Sequence, residues 1–163
     1  MASSPVSIGQ QLLANWDRLH RLPLGKRLFS WAVGRMVPYT GSIGGIYDEV
    51  RPGYARVVLR DRRPVRNHLA SVHAIALVNL AEMTSGVALL TALPPGVRGI
   101  VTALEIRYLK KARGLLTCEC HANAPSEVTA SIEHRIVAVI RDAANDVVAE
   151  CTVQWRVSPP GAT

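Results

Sequence analysis

The stretch Arg66-Asn67-His68-Leu69-Ala70-Ser71-Val72-His73, continuing as AIALVNLAEMTSGVALLT over residues 74–91, decides the reading of this chain. A polar loop leads there into one long apolar segment with a single carboxylate, Glu82, at its middle. Apolar residues continue to Leu93 but are interrupted by Asn79, Glu82, Thr84 and Ser85, which predicts a buried central helix rather than a membrane span. Leu93-Pro94-Pro95-Gly96 supplies the stop signal. Desolvating an ionised carboxylate is costly unless a partner offsets it, so Glu82 is the first candidate functional residue.

Working outward, residues 46–51 and 54–61 alternate as two strands around Pro52-Gly53, after a turn-rich entry from Pro38 to Gly45. Downstream, residues 99–110, 115–124, 128–141 and 147–157 read as strands. In the first of them Thr102, Leu104, Ile106 and Tyr108 fall on one face. The polar connection 142–146 is short enough to join the last two as an antiparallel hairpin. A helix that is apolar almost all round must be enclosed, and a curved antiparallel sheet is the available wrapper. Residues 38–159 therefore predict one α+β domain.

Residues 1–37 form an N-terminal helical extension, helical over 6–36 and split at Pro23. Ile8, Leu12, Leu13, Trp16 and Leu19 keep helical spacing before the proline, and Leu28, Phe29, Ala32, Val33 and Met36 after it. The basic residues between them suit a solvated face of a hairpin packed on the main body. They also suit an element that lies on a membrane surface or covers an acyl chain.

A chain of 163 residues, 48% hydrophobic and 19% charged, is long enough for one domain with a real core. Residues 1–10 are polar and show no secretory signal, which predicts a cytoplasmic protein. The net charge of +7 attracts polyanions, phosphorylated cofactors included. With one Phe and no aromatics interleaved among the basic residues, nucleic acid is not the expected partner. Cys118, Cys120 and Cys151 have no framework spacing and read as buried thiols. Cys118-x-Cys120-His121 lacks a second ligand cluster, so no metal is expected.

Asn67, His73 six positions on and Glu82 nine further resemble the loop-and-helix motif of hotdog-fold acyl-CoA thioesterases of the phenylacetyl-CoA and 4-hydroxybenzoyl-CoA type. The strand from Gly99 to Lys110 is similar to that family's post-helix strand, and the likeness covers roughly residues 40–157. The whole chain looks closest to an uncharacterised bacterial branch of the superfamily. The resemblance implies hydrolysis of an acyl-CoA, with coenzyme A as part of the substrate and no other cofactor. It assigns Glu82 as nucleophile or general base and a backbone N–H of Ala74 or Ile75 to the thioester oxygen. Asn67 would orient water or thioester, with His73 shaping the loop. The family's paired glycines after the histidine are Ala74 and Ile75 here, and a β-branched residue there crowds the approach to the amide.

His73 and Glu82 lie about 13 Å apart along one helix, so both can serve one thioester only if two chains contribute. A two-fold homodimer, alone or as a dimer of dimers, follows from that. Positions 75, 79, 82 and 86 share a helical stripe, placing Asn79 and Gly86 beside the carboxylate as supporting residues. Arg107, Lys110, Lys111 and Arg113 are the candidates for the coenzyme A phosphates. Three other readings stay open: a core carboxylate satisfied by Asn79, His68 or an arginine; an acyl-CoA-binding protein without turnover; and a hydratase or dehydratase using His68 and Glu82.

Overall fold

The computed structural model describes residues 7–161, so residues 1–6, with the start of the expected extension and most of the segment expected to carry no secretory signal, lie outside the described part. Helix α1 (Ile8–Leu19) begins where Ser7 and Gln10 cap one another. The Ser7 hydroxyl accepts from the Gln10 amide at 3.1 Å, and the Gln10 side chain accepts from the Ser7 amide at 3.0 Å. The chain breaks at Leu22-Pro23-Leu24, and α2 (Gly25–Met36) follows. Pro38 then opens α3 (Pro38–Gly41), a single turn within the segment expected to be only turns.

Strands β1 (Ile46–Arg51) and β2 (Tyr54–Arg60) form a hairpin, and helix α4 (Ala74–Ala92) follows. The remaining strands are β3 (Arg98–Tyr108), β4 (Leu115–His121), β5 (Ile132–Arg141) and β6 (Val147–Ser158). All pairings are antiparallel, in the order β1-β2-β4-β5-β6-β3, and α4 packs against every strand. This is the hotdog arrangement. By length and composition α4 could cross a bilayer, but the sheet occupies most of its surface.

Register explains how a helix fits so closely. Ala55, Cys120, Ala138, Cys151 and Ile106 stand opposite one another in a row across five strands. Four of the five are small, which lets α4 approach the middle of the sheet. The three thiols are buried, and burial pushes Cys120 up to about 12 and Cys151 to about 11, so they pack as neutral small hydrophobes.

Two strand expectations are corrected. A β-bulge between Val101 and Ala103 inserts a residue in β3. Leu104, Ile106 and Tyr108 still share a face, but Thr102 does not: its hydroxyl donates to Glu133 at 3.0 Å, a carboxylate on the outer side with Arg156. Residues 122–131 are a loop rather than strand ends, because β4 and β5 pair only between Thr117–Cys120 and Ala138–Arg141 and Pro125 offers no donor.

The N-terminal helices join the same core. Trp16 meets Phe29 edge-on at 5.1 Å between centroids, and Phe29 meets Tyr47 at 5.5 Å, linking α1 through α2 to β1. Gly9 lies directly on the Leu90 carbonyl of α4, where a Cβ would not fit.

Candidate active site

Glu82 stands in the middle of α4, half-buried, and among the described residues nothing hydrogen-bonds its carboxylate. It faces a cavity of about 130 Å³ whose walls come from α1 (Ile8, Leu12), α2 (Val33, Met36), Gly86 and Trp155. Those walls are almost entirely apolar. With nothing to offset desolvation, the Glu82 pKa is raised above the ordinary carboxylate value of 4.5. Tyr47 sits beside it, fully buried, donating its hydroxyl to the Met83 carbonyl at 3.1 Å. Burial and the nearby Glu82 charge together push the phenol far up, so it stays protonated.

The supporting residues take different places from those their spacing suggests. The Asn79 amide donates to the Tyr39 carbonyl at 3.1 Å rather than to Glu82, because α3 folds across that part of α4. Gly86 leaves room for an aromatic ring: the Trp155 six-membered edge lies 3.5 Å from where a Cβ would stand. The indole Nε1 of Trp155 is buried without a partner among the described residues. The N-terminal helices suited a cover for an acyl chain, but their place against Glu82 and the whole role of Trp155 had no local signal, since nothing local brings residues 8–36 and 155 to Glu82.

The start of α4 is built separately. Asn67 Oδ1 accepts from the Leu69 amide at 2.9 Å, the Ser71 amide at 3.3 Å and the Ser71 hydroxyl at 3.1 Å, closing the loop on itself. His73 is the N-cap of α4, its Nδ1 accepting from the Ile75 amide at 3.1 Å. That bond engages the Ile75 N–H expected to face a thioester, while the Ala74 amide has no acceptor among the described residues. Ala74, Asn67, Ser71, Tyr108, Lys110 and Lys111 line one cleft of about 360 Å³. The Tyr108 hydroxyl donates to the Ala74 carbonyl at 3.2 Å. His68 is exposed in the loop and does not line the Glu82 cavity.

The basic residues divide. Lys110 lies between Asp142 at 2.6 Å and Asp146 at 2.7 Å, tying the β5–β6 turn to the end of β3. The Arg113 guanidinium donates to the Leu69 carbonyl at 3.2 Å. Arg107 is exposed opposite Glu150 on β6, and Lys111 is exposed in the cleft wall. Arg66 pairs with the largely buried Asp61 at 2.6 Å, holding that carboxyl below its usual range. No group of three His, Cys, Asp or Glu suited to a metal occurs among the described residues.

Ala74 and Glu82 are about 12 Å apart along α4, so the cleft and the cavity are separate on one chain. Residues 25–157 match the model of a protein family described as a domain of unknown function, DUF4442. The chain belongs to the DUF4442 family. This DUF4442 chain is similar in structure to the structural-genomics protein APC5556, at 29% identity and TM-score 0.78 over 91% of this chain and 98% of that one. It is also similar to PA5026 of Pseudomonas aeruginosa, a protein of unknown function described as a probable thioesterase, at 22% identity and TM-score 0.72 over 84% and 96% of the two chains. A hypothetical thioesterase of Streptococcus pneumoniae solved with coenzyme A gives 16% identity and TM-score 0.64 over 79% and 99%. A search of curated proteins gives no match.

Proposed function

We propose that this DUF4442 chain is an acyl-CoA thioesterase in which Glu82 acts as general base or nucleophile. One observation carries the reading: a carboxylate without a hydrogen-bond partner among the described residues, on an otherwise uncharged helix, faces a cavity. A structural carboxylate would be paired. As base, Glu82 takes a proton from water while the water oxygen bonds to the thioester carbon. The C–S bond then breaks and the proton passes to the departing thiolate, giving acid and coenzyme A. Burial raises the Glu82 pKa, and a raised pKa makes its carboxylate a stronger base. The named thioesterases with the same fold, one of them solved with coenzyme A, support the substrate class.

Two chains complete the site in this reading. The Ala74 amide and the lysine-flanked cleft of one protomer receive the thioester oxygen and the coenzyme A end. Glu82 of the other approaches from its cavity. β3 supports the pairing: as an edge strand it leaves Ile100 67%, Leu104 42% and Tyr108 48% exposed.

Thiol release from a panel of acyl-CoAs, wild type against Glu82→Gln, tests the proposal. The expected loss in kcat is at least about 100-fold; equal rates remove Glu82 from the mechanism. One observation favours binding without turnover, namely the capture of the Ile75 amide by His73. Acyl-CoA binding with no thiol release from the wild type would establish that instead.

A further inference from the structure

The outward face of α2 is the wrong way round for a solvated helix. Gly25, Phe29, Ser30 and Val33 are buried. The opposite meridian carries Leu24, Arg27, Leu28, Trp31 and Arg35, at helical spacing. Leu24 is 71%, Leu28 50% and Trp31 63% exposed, and Leu22 at the hairpin tip is 55%. Leu24 also stands at φ +60°, a left-handed conformation that a leucine adopts at a cost and a glycine would adopt freely. A bulky apolar side chain thus stands at the apex where glycine, lacking a Cβ, would relieve the backbone.

Between Asp17 at the end of α1 and Asp48 on β1 the charges are all positive. Residues 18–47 contain Arg18, Arg21, Lys26, Arg27 and Arg35 and no acidic residue. Lys26 is taken up by Asp48 at 2.7 Å, and none of the four arginines makes an ion pair among the described residues. A cleft of about 450 Å³ runs beside Trp31, lined by Arg27, Arg35 and the glycines Gly41, Gly44 and Gly45.

We propose that α2 and the Leu22–Leu24 tip form a docking surface for an anionic phospholipid bilayer. Leu22, Leu24, Leu28 and Trp31 enter the headgroup–acyl boundary, and the arginines meet lipid phosphates, one headgroup seated in the cleft beside Trp31. The surface is a convex ridge of alternating apolar and cationic side chains, which suits a fluid interface. An acidic protein partner would match the arginines but leave the ridge of leucines without a groove to fill. The same helix lines the Glu82 cavity with Val33 from its buried side and with Met36, itself 65% exposed. Docking therefore sets that cavity one helix away from the bilayer, where long-chain thioesters and free acids partition. Only this last purpose rests on the thioesterase reading; the docking itself does not involve Glu82.

The test is flotation of the full chain with vesicles of phosphatidylglycerol and phosphatidylcholine, against phosphatidylcholine alone. Trp16 and Trp155 are buried and Trp31 is not, so quenching by brominated lipid reads Trp31. Anionic vesicles are expected to bind the wild type and Glu82→Gln alike, with a blue-shifted, quenched Trp31. Arg27→Glu/Arg35→Glu should lower partitioning about tenfold or more, as should 0.5 M salt. Leu28→Ser/Trp31→Ser should lower it comparably, and circular dichroism checks that each exposed pair leaves the fold intact. No binding to anionic vesicles at low salt, or binding that neither pair of substitutions weakens, overturns the proposal. So does a Trp31 already blue-shifted without lipid together with an oligomer that Leu28→Ser/Trp31→Ser dissociates, since a second copy then covers the face. Capture of a soluble acidic carrier protein by these arginines without vesicle binding also overturns it.

Discussion

Glu82 is surrounded by side chains that disfavour its charge, and this has a thermodynamic sign. Its folded pKa lies above the ordinary 4.5, so the ionised form is the less stable one in the folded chain. The stability it contributes is full below about 4.5 and is lost as pH rises through the folded value. Glu82→Gln removes that loss. Melting temperatures of the two proteins should nearly coincide at pH 4 and separate towards pH 8, with Glu82→Gln the more stable; a gap independent of pH contradicts the burial account. Thiol release by the wild type should rise over the same window as Glu82 ionises. His73 is the second residue whose role is specific: it caps α4 by accepting from Ile75. His73→Ala should cost about 1 kcal/mol by denaturant titration, and His73→Asn should recover most of it. The carboxylate was legible from sequence because a charge in an apolar run stands out. The partners of Asn79 and Ile75 were not, since each depends on a group placed by the fold.

At the scale of elements, helix periodicity and breakers located nearly everything. Pro23 divides α1 from α2, and Pro94-Pro95 ends α4, because a missing N–H and a fixed φ act locally. Bulges and strand divergence are tertiary: Thr102 left its expected face, and residues 122–131 left their strands, through pairing with distant segments. How α1 meets α4 is likewise tertiary, although it rests on one residue. Gly9 sits on the carbonyl of Leu90, a residue that lines the Glu82 cavity. Gly9→Ala should push α1 off α4, costing about 1–3 kcal/mol and raising amide hydrogen exchange in residues 8–19 while β5 and β6 stay protected. Unchanged exchange in α1 would mean that the close approach matters little.

For the whole molecule, the enclosed helix made the sheet predictable, and the sheet in turn sets what is left open. β1 and β3 are its edges, and β3 carries the large apolar side chains with high exposure. Leu104 lies on the inner face opposite the buried Val153, yet its own subunit covers only part of it. If β3 joins two protomers, sedimentation should give a dimer or dimer of dimers for the wild type. Leu104→Lys should shift it to monomer and abolish thiol release together; a monomeric wild type with full activity would refute the two-chain site.

The amino-acid sequence by itself determined the element order, the enclosed helix and the solitary carboxylate. Each follows from periodicity, breakers and the cost of burying charge, which act within a few residues. Only the tertiary structure decided that residues 8–36 and Trp155 wall the Glu82 cavity, and that His73 and Tyr39 claim the Ile75 and Asn79 groups. It also turned Leu28 and Trp31 outward beside the basic residues of α2. Those contacts join segments far apart in the chain, and their energies arise only once the sheet has closed around α4 and brought them together.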